Sequence, residues 1–90
     1  YVLRVKGDSM IDDGIHDGDW IVVEKRERAD PGQTVVALVR DREATVKRYY
    51  PERGGVIRLQ PANAEMAPMR FPMTDVAVQG VVIGLLRRYR

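Results

Sequence analysis

Apolar and polar positions along this chain alternate in short blocks separated by Gly, Pro and Asp. This pattern predicts strands joined by turns. Val2–Lys6 reads as a first strand, running into a loop, Gly7–Asp19, that is dense in Gly and Asp. Trp20-Ile21-Val22-Val23 is a continuous apolar run of strand length, bounded by Gly18-Asp19 and by the charged stretch Glu24–Asp30. Pro31-Gly32 turns the chain into Thr34–Arg40, a β-branched run, and Asp41-Arg42 is read as a tight turn into Glu43–Tyr50. Pro51–Gly55 is read as the next turn, Val56–Gln60 as a shorter strand and Pro61–Pro72, with three prolines, as a long irregular connection. Val76–Leu86 closes the pattern as a strand, with bulges or bends expected where Gly80 and Gly84 are set into it. No segment sustains an apolar stripe at helical spacing beyond two turns. The expected fold class is mostly β: a small antiparallel barrel or sheet assembly with little or no helix.

Length and composition narrow this picture. Ninety residues provide for one core, so the expectation is a single domain over residues 1–90. With 44% hydrophobic and 31% charged residues the chain is too apolar for disorder. Lys and Arg outnumber Asp and Glu by only 15 to 13, for a net charge of +2. The balance gives no nucleic-acid footprint, although the pI is near 9.2. The one basic cluster, Arg87, Arg88 and Arg90 around Tyr89, reads as a solvated terminal strand or tail. The absence of cysteine excludes disulfides and thiolate-ligated metals. No run of about 18 apolar residues offers a membrane span. The chain opens at Tyr1 inside a strand-like pattern, which we read as a fragment of something longer.

The segment with most chemical content is Gly7-Asp8-Ser9-Met10, followed by Gly14-Ile15 and Gly18-Asp19. A serine on a Gly-flanked loop after a strand can present a nucleophile, and it can equally just make a turn. Several signatures fail on inspection. A hydrolase elbow needs Gly two residues after the serine, where Ile11 stands, and a serine-x-x-lysine pattern fails at Asp12. His16, the sole histidine, is too near in the same loop to serve as a preorganised base and reads as a solvated loop residue. A calcium-loop frame from Asp13 to Glu24 fails because Ile15 takes a ligand position. No metal site and no cofactor are expected.

A lysine remains as the candidate base. Lys47 lies within Ala44-Thr45-Val46-Lys47-Arg48, inside a predicted strand. Alternation puts Ala44, Val46, Arg48 and Tyr50 on one face and Thr45, Lys47 and Tyr49 on the other. From periodicity alone Lys47 is better read as pointing to water from the more polar face.

A resemblance changes the weighting. Val5-x-Gly7-Asp8-Ser9-Met10 with Gly14-Ile15-x-x-Gly18-Asp19 resembles the nucleophile segment of the self-cleaving serine–lysine peptidases shared by LexA repressors, UmuD mutagenesis proteins and phage repressors. Thr45-Val46-Lys47-Arg48 resembles that family's lysine segment. Leu59-x-Pro61-x-Asn63 and Val78-x-Gly80-x-Val82-x-x-x-Leu86 resemble its later landmarks, and the match runs in order along nearly the whole chain. Bacterial signal peptidases share the fold and dyad. Their pattern departs from this chain at Asp12 and lacks the Gly-Ile-x-x-Gly-Asp extension, so the LexA type is the nearer pattern.

The resemblance implies Ser9 as nucleophile and Lys47 as its base. It also suggests the backbone amides of Ser9 and Asp8 as an oxyanion hole and Gly7 and Met10 as loop support. Gly7, Gly14 and Gly18 are expected at positive φ. Met10 and Ile11 are expected to pack beneath the loop, Thr45 and Val46 to line the strand beside the dyad, and Trp20 to lie in the core or an interface. The family's substrate is an Ala-Gly-type bond upstream of the serine in the same chain, and only eight residues precede Ser9 here. The cleavage segment and an N-terminal DNA-binding domain are therefore expected outside this sequence, and operator DNA would be bound only through that domain. The resemblance further implies a homodimer formed through this domain near Val76–Leu86. It implies activation by a RecA filament on single-stranded DNA, a role in the SOS response and a cytoplasmic location. Two alternatives stand beside it: a UmuD-type protein with the same dyad, and a catalytically inert β-barrel dimerisation module.

Overall fold

The computed structural model describes residues 1–88 and holds seven strands and two 3-10 turns. The strands are β1 (Val2–Arg4), β2 (Trp20–Lys25), β3 (Thr34–Val39), β4 (Ala44–Glu52), β5 (Val56–Gln60), β6 (Met69–Pro72) and β7 (Val76–Leu86). All pairings are antiparallel, in one sheet of order β1-β2-β7-β3-β4-β5-β6. The mostly-β expectation holds. Among the described residues no helix is long and apolar enough to cross a membrane.

β7 organises the sheet. Its first half pairs with β3, Val76 opposite Val39 through Val81 opposite Val35, and its second half pairs with β2, Gly80 opposite Lys25 through Leu86 opposite Trp20. The ladder slips by one residue at Gln79 and again at Ile83, each just before a glycine, so the bulges expected at Gly80 and Gly84 are present. Gly80 has a steric reason as well. A Cβ there would stand 2.4 Å from Val23 Cγ1 and 2.6 Å from the Glu24 carbonyl oxygen.

Several boundaries differ from the sequence reading. Trp20–Val23 extends to Lys25, because Glu24 and Lys25 still have ladder partners on β7. β4 runs through Pro51 to Glu52, so the turn shrinks to Arg53–Gly55. The proline is tolerated there because β3 pairs only with Ala44–Arg48, leaving one side of β4 without a ladder at Pro51. The hairpin turn centres on Arg40 and Asp41, both at φ +55°, one residue earlier than expected. The supposed irregular segment Pro61–Pro72 ends in a strand. Met69–Pro72 pairs with β5 at the sheet edge, where a proline costs no ladder bond.

Two apolar clusters hold the sheet. The first joins Val5, Met10 and Ile15 from the β1–β2 segment to Ile21, Val23, Val36 and Ala62, with Leu3, Val46 and Val82 against it. The second is Val35, Ala37 and Val81, covered by Ala29, Tyr49, Val76 and Val78. Val46 and Tyr49 thus pack on different clusters, as strand alternation requires. Ile11 and Trp20 belong to neither cluster and are exposed, so Ile11 does not pack beneath the loop as expected, and Trp20, expected in the core or an interface, is not in the core.

The close approach at Gly80 makes a prediction. Gly80→Ala should force the β2–β7 backbones apart and lower stability by about 1–3 kcal/mol, the range for overpacked sites. Chemical denaturation of both chains would check it, and unchanged midpoints would contradict it.

Candidate active site

The β1–β2 loop is held at its neck by backbone bonds. The Val5 amide donates to the Asp19 carbonyl and the Gly18 amide to the Val5 carbonyl, each at 2.8 Å. Within it, Met10 is 1% exposed and roots the loop in the first cluster. The Met10 carbonyl accepts from Asp13 and Ile15, and Gly14, at φ +77°, closes the 3-10 turn Ile11–Asp13. Gly7 and Gly18 also have positive φ, as expected. Asp17 Oδ1 accepts from the Gly7 amide at 2.7 Å.

A second set of contacts clamps the loop from the β5–β6 connection. The Asp12 amide donates to the Ala62 carbonyl at 2.7 Å, and the Ala64 amide to Asp12 Oδ2 at 2.9 Å. Asn63 Nδ2 donates to the Asp8 carbonyl at 2.9 Å. Arg48 on β4 adds an ion pair with Asp13.

This loop brings Ser9 to β4. In the sheet order β1 stands four places from β4, about 19 Å apart in a flat sheet at the usual strand spacing. Curling of the sheet and the long loop close that distance. Lys47 Nζ lies 3.0 Å from Ser9 Oγ and 2.8 Å from Thr45 Oγ1. Lys47 is 8% exposed, so the reading of a surface lysine pointing to water is overturned. Its stem is taken into the packing and its amine is aimed along the strand at two hydroxyls. Burial pushes its pKa below the ordinary lysine value, with no charged neighbour contributing. A groove of about 550 Å³ opens over the pair, lined by Leu3–Lys6, Ser9 and Glu43–Lys47. Chemically, an amine 3.0 Å from a hydroxyl can take its proton when the amine is in its neutral form.

Family comparison agrees with this architecture. Residues 1–83 match the model of the Peptidase S24-like family. The chain belongs to that family. Among curated relatives, it is similar to the LexA repressor of Myxococcus xanthus (strain DK1622), 56% identical over 98% of this chain and 40% of that protein. It is likewise similar to the LexA repressor of Syntrophobacter fumaroxidans, 54% identical over 100% of this chain and 43% of that protein. The LexA repressor of Zymomonas mobilis is 48% identical over 99% of this chain and 41% of its own length. This S24-like chain therefore spans about two fifths of the length of the relatives it matches.

One ion pair of this S24-like chain, between the buried Asp19 and the half-exposed Arg87, had no sequence signal. Asp19 and Lys47 are the buried charged side chains among the described residues. Asp19 accepts from Arg87 Nε at 2.9 Å and Nη2 at 2.7 Å, and from the His16 amide at 2.7 Å. Arg87 Nη2 also donates to the Gly14 carbonyl at 2.7 Å. Arg87 is thus tied to the loop instead of forming part of a solvated tail; Tyr89 and Arg90 lie outside the described residues. His16 is exposed, as expected.

The Arg87 guanidinium, with the His16 amide, holds the Asp19 carboxyl at about 2, against an ordinary 3.8. A lowered carboxyl pKa stabilises the fold above the ordinary value, and that contribution is lost as pH falls toward about 2. Asp19→Asn should therefore melt at a lower temperature at neutral pH and lose less stability than the parent between pH 4 and pH 2. Parallel acid-induced losses in both proteins would contradict the assignment.

Proposed function

We propose that this chain is the catalytic part of a LexA-type repressor, a serine endopeptidase that hydrolyses an Ala-Gly-type bond upstream in its own chain. The observation that carries this reading is the 3.0 Å contact between the buried Lys47 amine and Ser9 Oγ. A serine hydroxyl is a poor nucleophile until a base removes its proton, and an ordinary lysine is neutral in only about one molecule in two thousand at pH 7. Desolvation of Lys47 raises that fraction.

In this mechanism neutral Lys47 takes the Ser9 proton as Oγ attacks the scissile carbonyl. The oxyanion of the tetrahedral intermediate is received by the backbone amide of Ser9, with that of Asp8 beside it. Collapse of the intermediate expels the leaving amine, which takes the proton back from the Lys47 ammonium, and an acyl-enzyme on Ser9 remains. Water, deprotonated in turn by Lys47, then releases the acid product. The Gly7 amide is engaged by Asp17, whereas those of Asp8 and Ser9 have no acceptor among the described residues. Thr45 Oγ1, 2.8 Å from Nζ, holds the amine in line.

The burial of Lys47 favours this reading over an inert module, which would leave a charged surface lysine. The names of the relatives favour a LexA type over a UmuD type. Operator binding would then reside in a domain upstream, RecA filaments on single-stranded DNA would promote cleavage in the SOS response, and the protein would act in the cytoplasm. Homodimerisation is supported by the exposed Ile83, Leu85 and Leu86 near the end of β7, with exposed Trp20 opposite Leu86.

The test is self-cleavage of a longer chain that carries the upstream segment, followed from pH 7 to pH 11. The rate should rise about tenfold per pH unit and level off above the lowered Lys47 pKa, because the neutral amine is the active form. Ser9→Ala and Lys47→Ala should each reduce it by about a thousandfold or more. Undiminished cleavage in either variant would overturn the dyad.

A further inference from the structure

The Leu59-x-Pro61-x-Asn63 segment has no part in the mechanism above, yet one of its side chains reaches the peptide bond next to the nucleophile. Asn63 Nδ2 donates to the Asp8 carbonyl at 2.9 Å, and the Ile11 amide donates to the same oxygen at 3.2 Å. The Asp8 carbonyl and the Ser9 N–H belong to one planar peptide unit. In a trans peptide they point in opposite directions, and rotation between them is blocked. Fixing the oxygen therefore fixes where the Ser9 N–H is aimed. Asn63 is not among the residues lining the groove over Ser9, so it acts on this peptide unit from outside the groove. That N–H has no acceptor among the described residues.

We propose that Asn63 is a positioning residue for the oxyanion hole, acting through the Asp8–Ser9 peptide plane. This rests on the reading of Ser9 as nucleophile. Asn63 is suited to the task because its own position is fixed: Oδ1 accepts from the Glu65 amide at 2.9 Å. Its flanks are fixed too, by Ala62 against Met10 and Asp12 and by Ala64 against Asp12. The carboxamide thus spans a rigid connection and the loop, with its acceptor used locally and its donor used on Asp8. Lys47 and Thr45 make no contact with it among the hydrogen bonds of the described residues, so its loss should leave the base untouched.

Asn63→Asp separates the two halves of the side chain. It keeps an oxygen for the Glu65 amide and removes the donor to Asp8. In the full-length protein the self-cleavage rate of this variant should level off about 10- to 100-fold below wild type, up to the lower end of what loss of one oxyanion donor costs. In Asn63→Ser, which adds no charge, the pH midpoint should be that of wild type, because Lys47 is unchanged. The backbone ¹⁵N resonance of Ser9 should shift, since its peptide carbonyl has lost a hydrogen bond. Asn63→Ser, a smaller side chain without charge, takes the place of the Asp variant if that variant does not melt cooperatively. A plateau within twofold of wild type would overturn the proposal, as would an unmoved Ser9 resonance or, in Asn63→Ser, a rate loss accompanied by a displaced pH midpoint. Wild-type cleavage that survives Ser9→Ala would instead bring down the nucleophile assignment, and the catalytic role of Asn63 with it; the Ser9 resonance would still report whether Asn63 holds the peptide plane.

Discussion

An ammonium group taken out of water without a carboxylate beside it is costly, and the cost is relieved by giving up the proton. Lys47 is in this condition. It is buried on a central stretch of β4, in register with Val35 on β3, and its amine meets two hydroxyls and no counter-ion among the described residues. Packing alone would be served as well by an apolar side chain of similar length. Burial disfavours the ammonium form that lysine ordinarily has at neutral pH, and under the proposed function this is what would let Lys47 act as a base. The rest of the structure holds Ser9 Oγ 3.0 Å from that amine.

That holding is distributed over distant parts of the chain. Bonds from Val5 to Asp19 and Gly18 close the neck of the loop that carries Ser9, Met10 anchors its interior, and Ala62, Asn63 and Ala64 clamp its outer side. Arg87, just past the end of β7, reaches back to Asp19 and the Gly14 carbonyl. β7 pairs with both β2 and β3, with a bulge before each glycine, and so links the loop-bearing end of the sheet to the strands that carry Lys47. A loop tied at so many points changes little in shape before substrate arrives, which is the preorganisation that a hydroxyl nucleophile and an oxyanion donor require.

Strands and turns were legible in the sequence because their signals are local. β5 and β7 have the predicted bounds, since β-branched runs ended at Gly, Pro or charged clusters. β6 was hidden because Met-Arg-Phe between two prolines has neither alternation nor length, and pairing with β5 supplies what propensity lacks. Ser9 and Lys47 were singled out only through resemblance to a family. Strand alternation placed Lys47 correctly beside Thr45, yet it could not tell a buried face from a wet one, because burial depends on what the curled sheet brings over it. Asp19 with Arg87, and Asn63 with Asp8, are long-range pairs. Nothing near either partner in sequence announces the other, so an acidic turn residue and a basic tail were the natural readings.

The proton on Lys47 can be observed directly. The Cε resonance of Lys47, followed by ¹³C NMR from pH 6 to pH 12, should titrate below the value of about 10.4 shown by free lysine side chains. A Lys47 that titrates at the free-lysine value would contradict the account, because it would be a hydrated cation beside a serine it cannot activate.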